Sequence, residues 1–141
     1  MAVSVNPYLN FAGNSREAME YYQSIFGGEL RVLSFSDFGM SDMPADGTMH
    51  AALISPHITI MASDAMPGAE ATWNGTRNYI AFMGDELDLM TGWYDKLAAD
   101  GTGGQPLAAQ AWGDIYGDVK DKFGIEWMFN ISPNTGADLP N

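Results

Sequence analysis

A chain of 141 residues can bury the core of one domain without staples. It contains no cysteine, which excludes disulfides, zinc–thiolate sites and thiol nucleophiles. Eighteen acidic against six basic residues give a formal charge of −12, a surface that repels phosphate backbones and anionic membranes and so disfavours nucleic-acid and membrane partners. Solubility accounts for such a charge, and a cationic ligand is the sharper alternative.

Residues 3–12 carry Val3, Val5, Tyr8, Leu9 and Phe11, a strand-like run that Pro7 confines to an edge or bulge. Asn14 with Glu17 has capping-box spacing, and Ala18, Tyr21, Tyr22, Ile25 and Phe26 recur on one helical face until Gly27-Gly28. Residues 29–35 return to alternation. Residues 36–48 lose it while keeping Phe38, Met40 and Met43, the pattern of a loop that folds back over a pocket or plugs a core. Residues 49–54 and 57–63 read as a hairpin reversing near Ser55-Pro56, which brings His50 close to Ser63 and Asp64. A His50–Asp64 pair is either a structural hydrogen bond or an acid–base dyad.

Residues 64–77 form a turn-rich connector with Trp73, and the plan then begins again. Residues 78–83 read as a strand and 85–99 as a helix with Leu89, Met90, Trp93, Tyr94, Leu97 and Ala98 on its face. Residues 107–112 read as a strand, followed by a hairpin turning at Asp121-Lys122-Phe123-Gly124. Trp112, Tyr116, Trp127 and Met128 are expected to crowd onto one β surface, as core or as the wall of a pocket.

Laying Tyr21-Tyr22 on Trp93-Tyr94 gives an offset of 72 (93 − 21), which carries residues 7–11 onto 79–83. Such self-similarity predicts two copies of one βαβββ unit. Module one is placed at about 1–66, a connector at about 67–76, module two at about 77–132 and a tail at 133–141.

Taken together, Asn6-Pro7-Tyr8-Leu9, Arg16-Glu17-Ala18, Phe26-Gly27-Gly28-Glu29-Leu30, Met49-His50-Ala51, Ile60-Met61-Ala62-Ser63-Asp64 and the run from Trp112-Gly113 to Trp127-Met128 carry a likeness. The chain resembles the vicinal-oxygen-chelate (glyoxalase, bleomycin-resistance, dioxygenase) superfamily, and within it the PhnB-like branch with its 3-demethylubiquinone-methyltransferase-like label. The resemblance implies an α+β fold in which two βαβββ modules form an open barrel-like sheet around a pocket, helices outside, and it implies a homodimer, with modules exchanged in some members. Metal-dependent members place His or Gln on the first strand of each module and Glu near the end of the last. Ungapped placement puts those positions on Pro7, Met61, Tyr79 and Met128, none of which suits a hard divalent ion.

The resulting expectation is a small-molecule-binding protein with no metal and no cofactor. Its ligand would be enclosed by Tyr8, Asn10, His50, Met61 and Tyr79 from the first strands of the modules and their neighbours, and by Trp112, Tyr116, Trp127 and Met128 from the last hairpin. The alternative is an enzyme using His50 and Asp64 as acid and base or as relocated metal ligands. No glycine-rich loop supports a nucleotide-like cofactor. The absence of a long apolar run or a signal-like start leads to the expectation of a cytoplasmic location.

Overall fold

The apolar positions of both predicted helices turn inward. Ala18, Met19, Tyr22, Ile25 and Phe26 are buried along α1 (Ser15–Phe26), and Met90, Trp93, Tyr94 and Leu97 along α2 (Leu87–Ala99). Each stripe covers one face of a four-stranded sheet, which is how an amphipathic helix loses its apolar surface to the core. The computed structural model describes residues 6–39, 44, 46–65, 67–73 and 78–132. The chain divides into two units, Met1–Asn74 and Gly75–Asn141.

Unit one runs β1 (Tyr8–Phe11), α1, β2 (Glu29–Ser34), β3 (Thr48–Ile54) and β4 (Thr59–Asp64), with sheet order β1-β4-β3-β2. Unit two runs β5 (Ile80–Gly84), α2, β6 (Ala108–Ala109), β7 (Ile115–Lys120) and β8 (Glu126–Ile131), with order β5-β8-β7-β6. In each the first strand pairs in parallel with the fourth and the remaining neighbours are antiparallel. The expected α+β fold with two βαβββ modules is therefore present, and no helix of the described residues is long and apolar enough to cross a membrane.

Several local expectations change. Asn14 occupies the N-cap of α1, yet its side chain makes no capping bond. The carboxylate of Asp64, at the end of β4, accepts the Ser15 N–H at 2.9 Å and the Thr48 N–H at 2.9 Å. A negative charge at a helix start satisfies a free amide and complements the dipole, and here it comes from a distant strand rather than from the helix's own capping box.

The strand expected over 107–112 shrinks to Ala108–Ala109, because a tight turn follows. In that turn Gly113 donates to the Gln110 carbonyl and the Gln110 N–H to that of Asp114, so Trp112 sits on the turn. The loop 36–48 begins with a short 3₁₀ turn, Ser36–Phe38. The Met40 and Met43 expectation lies outside the described residues. The second hairpin turns at Gly124, with φ of 89°, as expected.

The offset of 72 also needs correction. It holds for the helices, where it carries Ala18, Tyr22 and Ile25 onto Met90, Tyr94 and Leu97. In the sheets Tyr8 lies opposite Met61 and Ala81 opposite Met128, so β1 maps to β5 at 73 (81 − 8) and β4 to β8 at 67 (128 − 61). A slip of one residue moves every side chain to the other face of a strand. Tyr8 is thus the counterpart of Ala81, and Pro7 and Tyr79 are not equivalent positions.

Candidate functional site

Each sheet has a face turned away from its helix. On unit one, alternation puts Tyr8 and Asn10 of β1, Met61 and Ser63 of β4, His50 and Ala52 of β3, and Arg31 and Leu33 of β2 on that open face, in register across the sheet. Tyr8 is 48 % exposed, and its hydroxyl hydrogen-bonds His50 Nδ1 at 3.0 Å.

The open face of unit two carries Ala81 and Met83 of β5, Met128 and Asn130 of β8, and Tyr116 and Asp118 of β7. Tyr79 immediately precedes β5 and shares the parity of Ala81. The Tyr116 hydroxyl donates to Asp118 Oδ2 at 2.8 Å, and the Gln105 N–H donates to Asp118 Oδ1 at 2.9 Å. Trp112 is 58 % exposed and stands edge-on to Tyr116, ring centres 6.4 Å apart. Its indole N–H donates to Asn130 Oδ1 at 3.3 Å. The Asn130 amide N–H donates in turn to Asp114, which also accepts the Ser132 hydroxyl, each at 2.8 Å.

Burial, followed by the hydrogen bond and charge of Asp118, pushes the Tyr116 phenol up to about 12. Desolvation first, then the charges of Asp118 and Glu126, also raises Tyr79. Both phenols remain protonated at neutral pH. A cavity of about 190 Å³ in unit two is lined by Tyr79, Gly104, Asp118, Lys120 and Glu126 among others. A larger one of about 400 Å³ in unit one, lined by Phe35, Asp46, Asp64 and Glu70 among others, touches none of the other expected site residues.

Two expectations are corrected by this geometry. Trp127 does not share a surface with Trp112, Tyr116 and Met128. It is fully buried, stacks with Phe82 on the helix-facing side, and donates its indole N–H to Asp121 Oδ2 at 2.8 Å. Adjacent residues of a strand point to opposite faces, so Trp127 and Met128 cannot line one pocket wall. His50 and Asp64 likewise leave opposite faces of their sheet. His50 meets Tyr8, whereas the Asp64 carboxylate is spent on two backbone amides, so the acid–base dyad is not formed. Sequence reading missed Asp114, Asp118, Asn130 and Ser132. The signal available for Asp118 was its position two residues after Tyr116 on a strand, which puts both on one face.

Residues 4–129 match the family model of the Glyoxalase/Bleomycin resistance protein/Dioxygenase superfamily. The chain belongs to this superfamily. It is 32 % identical over 140 residues to protein YjdN of Escherichia coli K12, covering 90 % of this chain and 94 % of that one. Among solved structures it is similar to PA1353 of Pseudomonas aeruginosa, with a TM-score of 0.77, 32 % identity, and coverage of 92 % and 98 %. It also shares its fold with the PhnB protein of Bacillus cereus, at a TM-score of 0.74 and 21 % identity, over 92 % and 99 % of the two chains.

The metal that the superfamily implies does not fit the donors present. Met61 and Met128 face Tyr8 and Ala81 across the parallel strand pairs, so the four matching positions on the open faces carry no carboxylate and no imidazole. Among the described residues no three His, Asp or Glu side chains converge. Thioethers suit soft ions only. Asp64, facing the helix, cannot join His50 in a relocated site.

Proposed function

We propose that this chain binds a small, ring-bearing molecule on the open faces of its sheets without a hard-donor metal centre, and that it works as a cytoplasmic homodimer. The observation that carries this reading is Trp112. A side chain of that size left 58 % exposed forgoes apolar burial, yet its indole N–H is hydrogen-bonded and its ring is set edge-on to Tyr116. A fixed, solvent-facing aromatic wall on the face that also carries Met83 and Met128 suits a flat ligand, because the ordering cost is met before binding. Strands β1 and β2 in unit one, and β5 and β6 in unit two, lie at the edges of their sheets, which supports pairing with a second copy.

A second reading has one specific observation behind it, the Tyr8 hydroxyl against His50 Nδ1, an arrangement that can orient an imidazole for proton transfer. A library of aromatic fragments, screened by the shift of the Trp112 indole resonance, tests the first reading. Saturable binding is expected, and Trp112→Ala, followed through the Met128 methyl resonance instead, abolishes it; a library with no saturable member refutes the reading. Turnover of a bound compound that His50→Ala abolishes without loss of binding would establish the second.

A further inference from the structure

We infer that the Tyr116–Asp118 pair sets the polarity of the unit-two face, making it accept hydrogen bonds and positive charge and reject anionic ligands. The inference rests on the proposal that this face binds a ring-bearing ligand, and it names the class of that ligand: planar rings bearing N–H donors, amidinium-like or ammonium-like, rather than carboxylates or phosphonates.

Asp118 is 7 % exposed, and its Oδ1 is held by the Gln105 N–H at 2.9 Å. Its Oδ2 takes the only proton that the Tyr116 hydroxyl owns, at 2.8 Å. Tyr116 therefore has lone pairs but no proton to offer a ligand, and Asp118 has lone pairs alone. Around them, the Trp112 indole N–H is committed to Asn130, and the Asn130 amide N–H to Asp114. The Trp112 and Tyr116 protons and one of the two Asn130 amide protons are thus bonded within the protein, and the second Asn130 proton sits on a side chain only 4 % exposed.

The raised Tyr116 phenol agrees with this assignment. Lys120, the basic residue of the same face, stands opposite Glu126 in the outer strand row, one row beyond Asp118. The loop at Gly104 lies against Asp118, where an added side chain would meet both the backbone carbonyl and Oδ1 of Asp118, so the carboxylate has little room to turn to that side.

Asp118→Asn reverses the logic while conserving shape. The Gln105 N–H still requires an acceptor, which fixes the amide oxygen on that side and turns the amide N–H₂ toward Tyr116. The Tyr116 oxygen then accepts, and its proton is freed toward the ligand.

The test uses three near-isosteric probes, benzamidinium, benzamide and benzoate, titrated against the whole chain at neutral pH and followed through the Trp112 indole resonance. Wild type is expected to bind benzamidinium about tenfold more tightly than benzoate, the discrimination that one charge-assisted hydrogen bond supplies. Asp118→Asn is expected to cut that ratio to about threefold or less, by weakening benzamidinium and strengthening benzoate. Glu20→Gln, on the exposed side of α1, controls for net charge and leaves the ratio unchanged. Benzoate binding as tightly as benzamidinium, or an Asp118→Asn ratio equal to that of wild type, overturns the inference and leaves the binding face standing. No shift of the Trp112 resonance with any of the three, or with the wider fragment library, overturns both.

Discussion

Replacing Asp64 with alanine separates a structural carboxylate from a catalytic one. Its two oxygens each accept one backbone N–H at 2.9 Å, from Ser15 at the start of α1 and from Thr48 at the start of β3. Hydrogen bonds to a charged acceptor are worth roughly 1.5–3 kcal/mol each, and Ser15 and Thr48 are 0 % and 2 % exposed, so the two amides find little water in place of the carboxylate. Asp64→Ala is therefore expected to cost about 3 kcal/mol, a large share of a typical domain stability of about 5–15 kcal/mol. Asp64→Asn should cost roughly half as much, since one amide oxygen can serve one N–H while the amide nitrogen faces the other. His50→Ala removes a bond at an exposed position and should cost under about 1 kcal/mol. The two side chains leave opposite faces of the sheet, so the double variant should be additive within about 0.5 kcal/mol. Urea unfolding followed by circular dichroism measures all four. A cost below about 1 kcal/mol for Asp64→Ala, or a coupling above about 1 kcal/mol between the two positions, would refute the capping account and revive the dyad.

Other substitutions probe the second unit. Tyr116 has a raised folded pKa of about 12, so it holds its proton more tightly folded than unfolded; its contribution to stability is complete below pH 10 and is lost as pH rises towards 12. Ultraviolet difference titration should show one tyrosine ionising near that limit, and Tyr116→Phe should delete the step. Asp121 accepts the N–H groups of Phe123 and Ile125 and the indole of the buried Trp127, so Asp121→Ala should destabilise by at least about 3 kcal/mol while leaving Trp112 fragment shifts in place. Gly124→Ala meets no neighbouring atom, and its cost of about 1 kcal/mol is that of a left-handed backbone alone. Differential scanning calorimetry would read the last two.

The repeat and the helices were legible because their signals are local. Ala18, Tyr22 and Ile25 recur at helical spacing, Gly27-Gly28 ends α1, and the Asp121–Gly124 turn carries its glycine where φ must be positive. Strand register was not legible from an ungapped offset. The helices keep a spacing of 72 while the first strands shift to 73, and that single residue decides whether Tyr8 corresponds to a position facing the helix or the open side. Trp127 and Met128 show the same limit, since composition marks both as pocket material and only alternation separates them. The role of Asp64 depended on a contact 49 residues distant in sequence, beyond the reach of any capping motif. Asn130 reads as an ordinary strand residue until the Gln110–Asp114 turn places Trp112 and Asp114 beside it. The absence of hard donors at Met61 and Met128, by contrast, was visible in the sequence, because it depends on residue type and not on geometry.

Methionine-methyl NMR addresses the binding face most directly. Met83 and Met128 lie on the open face of unit two and Met61 on that of unit one, whereas Met19 and Met90 are buried on the inward faces of α1 and α2. Titrating metal-free, ¹³C-methyl-labelled protein with an aromatic fragment that shifts Trp112 should move Met83 and Met128 and leave Met19 and Met90 in place. Shifts confined to Met19 and Met90, or shifts that appear only after Mn²⁺, Ni²⁺ or Zn²⁺ is added, would contradict a metal-free ligand site on the open face.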